Sequence, residues 1–526
     1  VISRRQALLA GAALAAGPAA AQITTLDLEA ASLPLRPEDW TARGHRRDIL
    51  IRWGDRVTFD APPWDPRNPT AEGAAAQFGW DGRLAGVVAP PLAADGVPRL
   101  VLAVAHPEVD PALAWPNGRD RPAVAGAMAG ASLLNLERQQ GRWILVDGGF
   151  QSRRLGITTL CRFAGPALPT TGASVQGVLG PAGGCATPWG SLLLAEPDPG
   201  PWLARLRGLD SRFENAARFG WVAELDPLDP QSVPAKRTAL GRIGAVALAA
   251  AEAADGRAVV FLADGRPMGF VFRFVSAGPA RSADVLDAGT LSVARIEGDA
   301  LAWAELPADS ALDPHGAAER AGAARFDTPA ALAWDRTRPR LLLACRAGTT
   351  RSTAETDALN PRPGPNPGHV LELSGDAAAP RLAARVLFRA GDAIEGGAYG
   401  PGMPAAGSVP RFPATLWVDA RARLWIGTDR AGRPGTAPDA VFACDLDGPG
   451  RGVVLPIYGA PRGAGIGGAA TTPDADALLV LVRTPGNEPG ATFDRPATRW
   501  PGFDPRTPPR SAVAVLNRMA GPPVGG

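Results

Sequence analysis

The sequence predicts an all-β protein, a six-bladed β-propeller with long inserted rim loops and small subdomains. Three observations carry that prediction. A short apolar strand ending in a turn or a polar group recurs six times, as RLVLAVAHP (99–107), WGSLLLAEP (189–197), GRAVVFLAD (256–264), RPRLLLACR (338–346), RARLWIGTD (421–429) and DALLVLVRT (476–484). Three of the six share a lead-in: PAALAWDRTRPRLLLAC from Pro329, PATLWVDARARLWIGTD from Pro413 and AATTPDADALLVLV from Ala469. Each reads as strand, Asp-anchored turn, strand, which is a β-hairpin. The 63 glycines and 54 prolines punctuate the chain closely and leave little room for long helices.

The elements follow in chain order. Residues 1–21, VISRRQALLAGAALAAGPAAA, place Arg4 and Arg5 before a short, weakly apolar run that ends in small residues. That is a charged segment, an apolar stretch too short to span a bilayer and a cleavable end, the layout of a twin-arginine-type export signal. Residues 22–526 then form one propeller domain. The six strands recur at intervals of roughly 55 to 90 residues, the pattern of radially repeated four-stranded sheets with insertions. WVAELDPLDP (221–230) and FVFRFVS (270–276) add further strands. The stretches 109–140, 278–325 and 485–511 read as rim loops or small subdomains, and the Ala-rich 307–325 as the place for a short helix.

Charge and composition narrow the function. The 54 basic and 52 acidic residues nearly cancel, and no dense basic block or aromatic-interleaved basic stretch marks a nucleic-acid partner. No later run is long and apolar enough for a membrane span, so the mature chain is expected to lack one. Cys161, Cys185, Cys345 and Cys444 are widely spaced without a CxxC pair, which argues against a zinc knuckle and leaves one or two disulfides open.

A set of motifs spread along most of the chain points to one family. IRWGD (51–55), QFGWDGRL (77–84), RFAGPA (162–167), TPWGSLLLAE (187–196), GWVAELDPLDP (220–230), KRTALGR (236–242), FRFVS (272–276), NPRPGPNPGH (360–369), LWIGTD (424–429) and RWPGFDPRTPPR (499–510) occur in that order. In these motifs the chain resembles the PhoX-type alkaline phosphatases. The resemblance implies an exported phosphomonoesterase on a propeller scaffold with a calcium–iron centre. Such chemistry needs hard cations that neutralise phosphoryl oxygens and orient a nucleophile, held by clustered carboxylates and carbonyls.

The ligand-bearing positions depart from the family pattern. Ala182 stands in the register of the family's cysteine before TPWG, with Cys185 three residues nearer the tryptophan. The Cys-Glu-Glu after that strand is Ala195, Glu196, Pro197, and the His-Glu element after KRTALGR falls among Ile243, Gly244, Ala245 and Val246. The Gly-Asp-Asp turn keeps Asp264 but has Gly265 and Gly269 at the other acidic positions, and Pro-Asp-Asn becomes Pro413, Ala414, Thr415. Asn-His-Glu reads Ala105, His106, Pro107, with Glu108 displaced by one, and Gln-His-Pro-Gly reads Arg483, Thr484, Pro485, Gly486. The candidate metal ligands are therefore Glu196, Asp264, Cys185, Glu108 and Asp429, with Glu224 and His106 behind them. They leave room for calcium and argue against iron.

Arginines on or beside the same motifs, Arg242, Arg266 and Arg483 with Arg273 and Arg362, suit an anion through bidentate hydrogen bonds. Three functions follow as alternatives. The chain is an exported phosphomonoesterase if a metal site survives. Otherwise it is a catalytically inactive periplasmic propeller that binds an anionic ligand or partner protein, or a single-calcium hydrolase of lactonase type. The expected partners are a small anionic or phosphorylated ligand and, for the precursor, the twin-arginine export machinery.

Overall fold

The computed structural model describes residues 24–430, 435–521 and 523–526. The expected export signal at 1–21 lies outside the described residues. The chain is mostly β, and its longest helices, such as Pro122–Met128, Gly200–Leu206 and Pro314–Arg320, have two turns. All six recurring apolar stretches are strands: Arg99–His106, Leu192–Ala195, Arg257–Ala263, Arg340–Cys345, Arg423–Thr428 and Ala477–Arg483. Each pairs antiparallel with the strand that precedes it, namely Arg83–Val88, Gly183–Ala186, Ala247–Glu252, Pro329–Asp335, Pro413–Val418 and Gly465–Thr471. These six preceding strands pack against one another in chain order, and Gly465–Thr471 returns to Arg83–Val88.

The hairpins owe their turns to the aspartates read from the shared lead-ins. Asp335 accepts from the Thr337 backbone N–H at 2.8 Å and from Arg340 Nε at 2.7 Å. Asp419 accepts from the Arg421 and Arg423 backbone N–H groups and from Trp425 Nε1 at 2.9 Å. Such side-chain acceptors fix a tight turn by replacing backbone hydrogen bonds the turn cannot make.

Hydrogen bonding divides the strands into five sheets. One has nine strands, because Ala300–Glu305 pairs with Arg381–Arg389 and joins two four-stranded hairpin sets. Its end strands, Ala247–Glu252 and Pro329–Asp335, pack together, so it curls almost closed. Of the three stretches expected between blades, 109–140 contains the sheet strand Gly130–Gln139. The stretch 278–325 contains Gly289–Glu297, Ala300–Glu305 and the helix Pro314–Arg320, and 485–511 has neither helix nor strand.

The two ends of the chain meet in the sheets. His45–Arg52 pairs along Ala512–Arg518 at the outer edge of the last sheet, and Trp40–Thr41 pairs with Val454–Gly459. Apolar clusters fill the spaces between sheets; one holds Val259, Phe261, Leu341, Leu343 and Leu371, all fully buried. All four cysteines are free, so the disulfides left open by composition are not formed. Three are buried strand residues inside single sheets, where no second cysteine comes near enough to bridge.

Leu341→Ala should cost about 2–5 kcal/mol of stability, because it empties a close-packed space that cannot collapse. The measurement is the shift of the urea unfolding midpoint.

Candidate functional site

Antiparallel pairing brings the ends of the recurring strands to one rim of the ring. Glu108, Asp264, Arg346, Asp429 and Arg483 follow or end five of those strands, and all line a central cavity of about 840 Å³. The facing strand starts supply Arg83, Gly183, Ala247 and Gly465. Arg266, Arg430 and Arg462 complete the guanidinium lining, and Asp110, Asp198, Asp439 and Glu488 add carboxylates.

Several of the buried charges at this rim are paired. Arg483 lies between two carboxylates: Nε donates to Asp81 Oδ1 at 2.8 Å, Nη2 donates to Asp81 Oδ2, and Nη1 donates to Asp429 Oδ2 at 2.6 Å. Arg83 Nη2 donates to the same Asp429 oxygen at 3.0 Å. Asp81 is fully buried and Asp429 nearly so. Burial opposes the charge on Arg483, yet Asp81 and Asp429 hold it well above the usual range. Burial lowers Arg83 to about 10, with the Arg483 charge adding to the effect. Asp439, also at the cavity wall, is raised to about 6 by burial despite the nearby Arg430.

The expected metal ligands are dispersed. Glu196 is 1% exposed and turned away from the cavity. It takes Lys236 Nζ at 2.7 and 3.0 Å and the backbone N–H groups of Leu179, Gly220 and Trp221. Those donors occupy both of its oxygens. Cys185 belongs to Gly183–Ala186 but packs with Trp189 on the apolar cluster around Leu193 and Leu248, where burial pushes its thiol up to about 12. A thiolate ligand needs the opposite shift. Glu108 lines the cavity from its exposed rim.

His106 is buried, with Nδ1 2.6 Å from the Asp81 carbonyl and Nε2 2.8 Å from Ser132 Oγ. The carbonyl can only accept, so Nδ1 carries the proton and Nε2 accepts from the hydroxyl. Burial and the Arg154 charge keep the ring neutral by lowering it well below its usual value. Glu224 accepts from Trp189 Nε1, Ser191 Oγ and Arg237 Nε in an interior network.

Asp264 reaches the cavity wall, with Oδ1 accepting from the Arg266 backbone N–H at 3.1 Å and Oδ2 3.4 Å from His315 Nε2. His315 stands beside Arg242 and Arg266 in a side pocket of about 150 Å³. Arg242 donates to the carbonyls of Phe219 and Ala216, and Arg273 and Arg362 are likewise bound to carbonyls. Arg266 is exposed, and its guanidinium has no hydrogen-bond or ion-pair partner among the described residues. The structure thus brings Asp429 and Arg483 together, and Asp264 with Arg266. It separates both pairs from Glu196 and Cys185.

Comparison with known proteins fits this geometry. A family model for alkaline phosphatase PhoX matches residues 37–486. The chain belongs to the PhoX family. A structure of Pseudomonas fluorescens PhoX in complex with vanadate, a transition-state analogue, superposes with a TM-score of 0.84 at 26% identity, covering 96% of this chain and 100% of that one. A Bacteroides uniformis structure assigned as a 6-phosphogluconolactonase reaches a TM-score of only 0.32 at 13% identity, over 78% of this chain and 86% of that one, and carries no argument. No curated protein matches the chain.

The residues present do not fit the multi-ion centre that the PhoX resemblance implies. Among the described residues, no three His, Cys, Asp or Glu side chains converge. Residues 1–23, 431–434 and 522 contain none of these types. The backbone at Gly244, Gly265 and Gly269 is also packed for small residues. A Cβ at Gly265 (φ +65°) would lie 2.4 Å from Val246, one at Gly269 would lie 2.1 Å from Asp264 Oδ1, and one at Gly244 (φ +65°) would lie 2.9 Å from the Asp198 nitrogen. Side chains able to ligate from these positions would require the loops to move.

Sequence reasoning missed Asp81, Arg83 and His315. Asp81 and Arg83 stand inside QFGWDGRL, where a charged pair flanking Gly82 could have drawn attention. For His315, rarity was the available sign, since the chain has only four histidines.

Two outcomes test this arrangement. Lys236→Met leaves the Glu196 charge buried without its ion partner and should cost about 3–5 kcal/mol, read from chemical unfolding. Asp439, with its raised folded value, contributes stability that is present below about pH 4 and is lost as pH rises through about 6. Across that window, wild-type stability should fall relative to Asp439→Asn in parallel unfolding curves.

Proposed function

We propose that this PhoX-family protein is an exported six-bladed β-propeller that binds a phosphate-bearing anion in its central cavity and does not hydrolyse it through a multi-ion centre. The observation that carries the reading is the contrast at the rim. The cavity-facing carboxylates Asp429 and Asp439 are engaged by arginines, while the exposed Arg266 guanidinium faces the cavity without a carboxylate. A planar guanidinium matches two oxygens of a phosphoryl or carboxyl group. The vanadate carried by the P. fluorescens relative is an oxyanion of the same shape class.

Six blades are supported by the ring of six innermost strands, each paired to one recurring apolar strand. Export by the twin-arginine route rests on Arg4 and Arg5 and the short apolar run after them. No helix of the described residues is long and apolar enough to cross a membrane.

Phosphomonoester hydrolysis is the second reading, and family membership favours it. In a phosphatase of this kind, metal ions would neutralise the phosphoryl oxygens and orient the nucleophile. Glu108, Asp264 and Asp429 are among the cavity carboxylates such ions would have to recruit. The protein purified without chelator should contain substoichiometric iron and calcium by elemental mass spectrometry and turn over no aryl phosphate above blank. By calorimetry it should bind orthovanadate or orthophosphate, and Arg266→Ala should weaken that binding about 10- to 100-fold, the loss of one charge-assisted pair. Stoichiometric metal with turnover would establish the phosphatase reading instead.

A further inference from the structure

We propose that Arg483, with Arg83, acts as a built-in cation that closes Asp81 and Asp429 to metal ions. The inference is independent of whether the cavity binds an anion. Two carboxylates brought to one point ordinarily repel each other and call for a divalent ion. Here two guanidinium groups supply the same two positive charges covalently. Arg483 spans the carboxylates with three of its N–H groups, two to Asp81 and one to Asp429 at 2.6 Å. Arg83 adds its contact to Asp429 Oδ2 at 3.0 Å. The four charges cancel.

The surroundings keep this arrangement in place. Asp81 Oδ1 also accepts from the Gly82 backbone N–H at 2.7 Å, which locks the carboxylate's direction. Gly465 sits so close that a Cβ there would lie 2.6 Å from Asp429 Oδ1, so the carboxylate's place beside strand Gly465–Thr471 depends on that glycine. Arg483 ends the strand Ala477–Arg483 and Arg83 begins Arg83–Val88, so both cations are delivered by sheet strands and not by loops. A calcium ion entering between the carboxylates would have to expel a guanidinium into a cavity already lined by arginines. The site is therefore a latent cation site held shut.

Removing the plug should open it. The test is calcium titration by calorimetry, with Ca²⁺ alone as probe, on wild type, Arg483→Ala, Arg483→Lys and the double variant Arg483→Ala/Asp429→Asn. The expected result is one Ca²⁺ per chain in Arg483→Ala at about 10⁻⁴–10⁻³ M, the range of weakly built carboxylate sites, with loss of that binding in the double variant. Wild type and Arg483→Lys, which keeps one positive charge, should bind at least about tenfold more weakly. The thermal midpoint of Arg483→Ala should rise with calcium while that of wild type stays unchanged.

Two results overturn the proposal. One is calcium binding by wild type that Asp429→Asn abolishes. The other is a folded Arg483→Ala protein that binds calcium no better than wild type. If Arg483→Ala does not fold in chelator, recovery of folded protein in millimolar calcium supports the plug. Failure of calcium to rescue it overturns the plug as well.

Discussion

The constraint on which the rest of the structure depends is closure of the ring by the two ends of the chain. His45–Arg52 runs beside Ala512–Arg518, and Trp40–Thr41 beside Val454–Gly459, so chain positions more than 400 residues apart share hydrogen-bond ladders. The innermost strands can pack in one continuous circle only if first and last sheets are held together. Without that pairing the apolar faces between Arg83–Val88 and Gly465–Thr471 would open to water, and the cavity would lose its wall. Apolar clusters between sheets drive the assembly, but they are not directional. Backbone pairing at the seam gives the circle its register.

A closed circle has a second consequence, which is electrostatic. Every recurring strand ends near the same rim, and a charged residue ends or directly follows most of them. Charges crowded into a partly buried space must be paired or desolvated at a cost of several kcal/mol each. A phosphatase scaffold can meet that demand with ions. In this chain the demand is met by side chains: Arg483 and Arg83 at Asp81 and Asp429, Arg430 at Asp439, and Lys236 at Glu196. The glycines at 244, 265 and 269 admit no longer side chain without a shift, because their neighbours fill the space a Cβ would need.

Much of the scaffold was legible in the sequence because it repeats. The apolar run followed by a polar residue marks all six second strands, and Asp335 and Asp419 mark their hairpin turns. The site was legible only in part. Asp264, Asp429, Arg266 and Arg483, which their motifs single out, line the cavity. Glu196 and Cys185 were grouped with them because they lie near a motif, yet a strand alternates its side chains between two faces. Cys185 faces the apolar layer, and Glu196 faces Lys236 from the next strands of its own sheet. Asp81 was not singled out because its partner Arg483 is 402 positions away.

The amino-acid sequence by itself determined the family, the β character, the strand recurrence and which residue types stand at the strand ends. Those properties are local, written in periodicity, turn residues and motif order. Only the tertiary structure decided which charges meet. Pairing across a closed ring depends on register and on the direction each side chain leaves its strand, and neither is encoded in the spacing of residues along the chain. Whether these two aspartates stand as bare carboxylates or as an ion-paired cluster depends on whether an arginine from a distant strand arrives between them, and here Arg483 does.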